Sequence, residues 1–98
     1  MIEMLTEKVK LALIGQEPFG FNVRFDVDDD CRIHVNGNEE PMTVSNDSEA
    51  ADTVFKVSSK DLLAMVDGDM SPMSAYITGK MKIEGDMGKA MQLSSIFG

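Results

Sequence analysis

The sequence predicts an α+β domain: one mainly antiparallel five-stranded sheet with helices packed on one face. Three observations lead there. Apolar residues recur every three or four positions at the start of the chain, they alternate with a period of two over two central stretches, and two helix-capping signals separate the later elements. The 98 residues suffice for one core, so a single domain over residues 1–98 is expected.

Ile2, Leu5, Val9 and Leu13 form one stripe of a helix over residues 2–14, with Glu3, Glu7 and Lys10 opposite and Gly15 and Pro18 ending it. Phe19, Phe21, Val23, Phe25 and Val27 then alternate with polar residues, the mark of a half-buried strand with an aromatic face. Asp28-Asp29-Asp30 turns the chain into a second strand, Cys31, Ile33 and Val35 against Arg32, His34 and Asn36. Asn36-Gly37 signals the next turn. Pro41 bounds a third strand near Met42–Ser45, and a fourth follows at Thr53–Val57.

Ser58, with Asp61 three residues on, caps a helix over Lys60–Val66, and Gly68 suits its end. Ser71-Pro72 supplies a cap and a first-turn proline for a short helix that Gly79 ends. Lys80–Glu84 alternates as a fifth strand with Met81 and Ile83 inward, and Asp86 caps a last helix bearing Met87, Ala90, Met91 and Leu93.

Several chemistries are excluded. Asp26, Asp28 and Asp30 mimic the start of a calcium loop, but Cys31 stands where its sharp-turn glycine is required and Gly37 where its bidentate acid is required. Gly85-Asp86-Met87-Gly88-Lys89 lacks the upstream glycine and the Ser/Thr of a phosphate loop. His34 is the sole histidine, expected to face solvent, and Cys31 the sole cysteine, so neither a histidine zinc site nor a disulfide is expected. Ser94 and Ser95 have no local base, and no nucleophile has an activating partner. No catalytic residue, metal or cofactor is expected.

The net charge of −8 opposes nucleic acid and anionic membrane surfaces, both of which reward basic residues. It is uneven: residues 1–50 carry −7 and residues 51–98 only −1. The opening residues lack the uninterrupted apolar core of a secretory signal, and no stretch approaches a membrane span. A cytoplasmic setting is expected, in which the sequon Asn46-Asp47-Ser48 has no role. Six of nine methionines lie between Met65 and Met91, and methionine repacks readily around variable guests.

The order Ala51-Asp52-Thr53-Val54-Phe55-Lys56-Val57, capped helix, short Pro-started helix, Gly79-Lys80-Met81-Lys82-Ile83, Gly85-Asp86-Met87-Gly88 and helix resembles the sterol carrier protein 2 domain family. The match is close over about half the chain and extends to the first half only in the order of its strands. The resemblance implies a curved sheet enclosing a hydrophobic cavity or tunnel, lined from the matched positions. On that basis the candidate lipid-binding wall is Phe21 and Phe25 on the first strand, Phe55 on the fourth, Met65 and Met70 around the middle helix, Ile77 and Met81 beside the fifth strand, and Met87, Met91 and Leu93 on the last helix. Core and cavity wall share one composition, so plain packing is the competing role of each.

Non-catalytic binding and intracellular transfer of a hydrophobic lipid follows as the expected function. Fatty acid, fatty acyl-CoA, a sterol-like molecule, phospholipid and isoprenoid all fit, with a membrane or lipid enzyme as transient partner. The rival is a protein-interaction scaffold with a closed pocket. Ile96-Phe97-Gly98 is no Ser-Lys-Leu address, so peroxisomal transfer is not expected, and the lack of an attached enzyme domain leads to the expectation of a freestanding member. Ile96 and Phe97 are expected either to close the tunnel or to form an exposed docking patch.

Overall fold

The computed structural model describes residues 2–97, with side chains through residue 93. Its elements follow the order α1 (Ile2–Leu13), β1 (Asn22–Val27), β2 (Cys31–Asn36), β3 (Thr43–Ser45), β4 (Thr53–Val57), α2 (Ser59–Val66), α3 (Pro72–Ile77), β5 (Met81–Gly85) and α4 (Met87–Phe97). The five strands form one sheet in the order β3-β2-β1-β4-β5.

The sheet is mixed, a small correction to the expected mainly antiparallel pattern. β1 runs parallel to β4, while β1–β2, β2–β3 and β4–β5 are antiparallel. The chain leaves the sheet edge after β3 and returns on the far side of β1, where β4 runs in the same direction as β1. Periodicity fixes which face a residue takes but not which strand it pairs with.

Alternation sends Val23, Phe25 and Val27 of β1, Ile33 and Val35 of β2, Phe55 and Val57 of β4, and Met81 of β5 into one core. The helices close that core: Leu5, Val9 and Leu13 of α1, Leu62 and Met65 of α2, Ala75 of α3, and Ala90 and Leu93 of α4 are buried against it. Helix ends follow the expected chemistry. Ser58 Oγ accepts the Asp61 amide at 3.1 Å, Ser71 Oγ accepts that of Ser74 at 3.1 Å, and Asp86 Oδ1 accepts that of Lys89 at 3.0 Å. These bonds satisfy amides that the helix itself leaves unpaired.

Gly37 and Gly85 are required by their surroundings. A Cβ on Gly37 would collide with the Phe19 ring and with Phe21 O, and one on Gly85 would collide with Asp52 O. Gly85 also has φ +87°, a left-handed conformation unfavourable for other residues.

The opposite sheet face is not simply wet. His34, expected at the solvent, is 3% exposed, and its Nε2 has no hydrogen-bond partner among the described residues. Beside it Asp26 is clamped by Arg24, Nε to Oδ1 at 2.7 Å, and by Arg32, Nε to Oδ1 at 3.2 Å. Arg24 also donates to Glu49 O at 3.1 Å, tying the crossover between β3 and β4 down against this face. Alternation placed His34 correctly on the outer face, yet it is buried there.

Candidate functional site

Two adjoining apolar clefts lie between the sheet and the helices. The inner one is walled by Phe25 of β1, Phe55 of β4 and Met81 of β5, and roofed by Leu62 and Met65 of α2, Pro72 of α3 and Leu93 of α4. The outer one shares Phe55, Pro72 and Met81, then continues past Ile83, Ala90 and Met91 to Met73 and Tyr76 on α3. Together they make one seam from the core to the surface, lined by apolar side chains and a single phenol.

Sequence and packing account for this placement. Phe25 and Phe55 are direct partners on the parallel pair, and their rings stack with centroids 5.3 Å apart and planes 20° apart. Met81 sits opposite Val57 and Ile83 opposite Phe55, so β5 extends the same apolar face. Leu62 and Met65 are three residues apart on α2 and therefore descend on the sheet together.

The seam is closed. Each cleft holds about 10 Å³ of free space, no more than about one water can occupy. No open tunnel is present in this seam; Met65 and Met81 line the inner cleft and Met73, Met81 and Met91 the outer one, side chains that repack readily.

Of the residues singled out in the sequence, Phe25, Phe55, Met65, Met81 and Leu93 meet in the inner cleft, and Met91 joins Phe55 and Met81 in the outer one. Phe21 is buried but lines neither cleft; it packs on Phe19 at 4.7 Å with Lys89 Nζ 5.8 Å above its ring. Met70 is half-buried against the core edge. Ile77, 73% exposed, and Met87, 39% exposed, stand outside both clefts. An apolar residue in a short helix carries no signal of whether its side faces in or out, and here α3 seats Pro72 and Ala75 inward instead. The side chains of Ile96 and Phe97 lie outside those described.

Leu62, Pro72, Met73, Tyr76, Ile83 and Ala90 are lining residues that the candidate wall omitted. Leu62 and Ile83 were legible as inward positions of their elements. Pro72 looked like a helix-start device only, and it serves both roles.

Larger depressions are open; one of about 410 Å³ is bordered mainly by apolar groups, Leu13, Ile14, Pro41, Met42 and Val44, beside Lys10 and Gln16, and others are more polar. One of about 500 Å³ is bordered by Asp28, Asp29, Lys56, Lys80, Lys82 and Glu84, charges that an apolar guest would have to desolvate. Another, of about 550 Å³, includes Cys31, Asp30 and Arg32. Desolvation, the Asp30 hydrogen bond and the negative charges of Asp30 and Asp28 push the Cys31 thiol up, against a smaller opposing effect of Arg32. That makes it a poor nucleophile. No cluster of metal-ligating side chains and no helix long and apolar enough to cross a membrane exists among the described residues.

Residues 5–98 match the SCP-2 sterol transfer family, and the chain belongs to it. Sterol carrier protein 2 of Oryctolagus cuniculus is 39% identical over 59 residues, which make up 60% of this chain and 11% of that protein. The chain thus spans about a tenth of the curated relatives it matches. The fold is shared with sterol carrier protein 2 like 2 of Aedes aegypti, with a TM-score of 0.77, 19% identity, and coverage of 96% of this chain and 94% of that one. It is also shared with sterol carrier protein 2 of Aedes aegypti in complex with the C16 fatty acid palmitate, at TM-score 0.73, 15% identity, and coverage of 96% and 91%.

Proposed function

We propose that residues 1–98 form a non-catalytic lipid carrier that takes the apolar tail of a fatty acid, or of a lipid with a comparable acyl chain, into the seam between the sheet and α2, α3 and α4. The observation that carries this reading is the continuous apolar lining from Phe25 through Phe55, Pro72 and Met81 to Met73 and Tyr76. Each methylene transferred from water contributes about 0.8 kcal/mol, so a long chain can bind without a charged anchor. Family membership and the palmitate complex of a relative support the ligand class.

Because the seam is closed, binding requires the lining to move apart. Methionine side chains change rotamer at small cost. The short α3 lies between Gly68 and Gly79, both at positive φ with open space around them, so it can shift without dragging packed side chains at its hinges. The cytoplasmic setting goes with this reading, since a lone cysteine suits a reducing compartment.

Native mass spectrometry of the freshly purified protein, followed by organic extraction, tests the proposal. A stoichiometric long-chain adduct, or one formed after incubation with palmitate, is the expected result. The closed seam favours a second reading, a scaffold with a closed pocket; a mass unchanged by fatty acid, acyl-CoA, phospholipid and quinone would establish the scaffold instead.

A further inference from the structure

We infer that the outer face of α1, with the groove between its C-terminal end and β3, is a docking surface for a partner protein that presents a basic amphipathic helix. The inference does not depend on what enters the seam, since the groove shares no lining residue with either cleft.

α1 carries two apolar stripes on opposite sides. Leu5, Val9 and Leu13 are buried in the core, whereas Met4, Leu11 and Ile14 stand 41%, 63% and 72% exposed. Ile14 directly follows the helix, and its amide, bonded to Leu11 O at 3.3 Å, continues the turn. Positions 4, 7, 11 and 14 alternate spacings of three and four, the pattern of a seam between two packed helices, and the stripe runs about 15 Å along the axis. Glu7, paired with Lys10 at 3.5 Å, takes the one polar place in it. At its C-terminal end the stripe passes into the groove of about 410 Å³, lined by Leu13 and Ile14 on one side and Pro41, Met42 and Val44 on the other. An exposed apolar strip that continues into an apolar groove is the form of a helix-binding surface. The edge strand β3 spans three residues, too short a row of backbone groups to hold an added strand, so a helix fits where an extended peptide does not.

Charge identifies the partner. Glu3 adjoins Met4, Glu17 adjoins Gln16, and Glu39 and Glu40 lead into Pro41; none of the four makes an ion pair among the described residues. The two lysines of α1 are engaged, Lys10 with Glu7 and Lys8 with Asp67 at 2.7 Å. Residues 2–17 and 37–45 together hold five acids and two lysines, net −3. Carboxylates without a cation around an apolar strip complement a helix that flanks its apolar face with lysine or arginine. The same carboxylates repel a second copy of this face, an anionic bilayer and a nucleic acid.

A dye-labelled synthetic helix of leucine and lysine, with its leucines on one face, is titrated with the intact chain and read by anisotropy. Saturable binding that weakens with added salt is expected, and none to a leucine-glutamate helix. Ile14→Ser and Leu11→Ser should each weaken binding about tenfold, the scale of one aliphatic side chain. Ile77→Ser, at a position just as exposed but on α3, should leave it unchanged. Glu17→Gln combined with Glu40→Gln should flatten the salt dependence. The inference is overturned if the peptide does not bind, if a scrambled leucine-lysine peptide with no apolar face binds as well, or if Ile77→Ser weakens binding as much as Ile14→Ser. A dimer of the chain in sedimentation that Leu11→Ser dissociates would also overturn it, by making this face an interface between two copies.

Discussion

Asp52 and Asn22 are bonded to each other twice: the Asn22 amide donates to Asp52 Oδ2 at 2.9 Å, and the Asp52 amide donates to Asn22 O at 2.9 Å. Asp52 O accepts the Asp86 amide at 2.9 Å in addition, so one residue joins the start of β1, the start of β4 and the entry to α4. Asp52→Ala removes the side-chain acceptor and should cost about 1–2 kcal/mol, a charged acceptor of a backbone amide being stronger than a neutral one. Urea unfolding measures it, with Asp52→Asn expected to retain part of the stability.

Gly85 meets the same residue from the other side. Gly85→Ala adds a clash with Asp52 O to the cost of positive φ, whereas Gly68→Ala has positive φ and open space. The second change should destabilise by about 1 kcal/mol and the first by clearly more, about 2 kcal/mol or above. Equal losses in paired denaturant titrations would show that the close approach costs nothing.

Leu93 is 2% exposed in the inner cleft. Leu93→Ala should lower stability by about 2–5 kcal/mol, and added palmitate should restore part of it, because a ligand that binds the folded state stabilises by mass action. Met91→Glu puts a charge on the outer cleft and should abolish the palmitate adduct, while Glu39→Lys, exposed and distant from the seam, leaves it intact. Equal adducts in both charge variants would displace the site from the seam.

Much of this was legible in the sequence. The caps at Ser58, Ser71 and Asp86 form where they were expected, because N-cap chemistry is local and needs only a hydroxyl or carboxylate at the right spacing. Phe25, Phe55 and Met81 were readable as inward by alternation. The β1–β4 pairing was not, since nothing in either strand names its partner. Nor was the burial of His34, since alternation assigns a face but does not say whether that face is covered. Ile77 and Met87 show the remaining blind spot: apolarity alone does not separate a lining residue from one at the rim.

Cys31 yields a pH prediction. With its thiol held above the usual cysteine range by desolvation and by Asp30 and Asp28, the thiolate fraction at neutral pH is smaller than in a free cysteine. Reaction with a disulfide reagent should be slow at pH 7 and accelerate with rising pH along a curve displaced to the alkaline side of an unstructured cysteine peptide. Asp30→Asn should shift that curve back toward lower pH.

The parallel pairing of β1 with β4 joins residues 30 positions apart, and it has a kinetic consequence. Closure over that separation must precede the stacking of Phe25 on Phe55, which places the central step of folding among the slower, non-local ones. The seam is built on this same strand pair, so an acyl chain has nothing to enter until the pairing is made. Lipid should therefore leave the refolding rate untouched and act wholly by retarding unfolding, giving a loaded protein a longer lifetime but no faster birth.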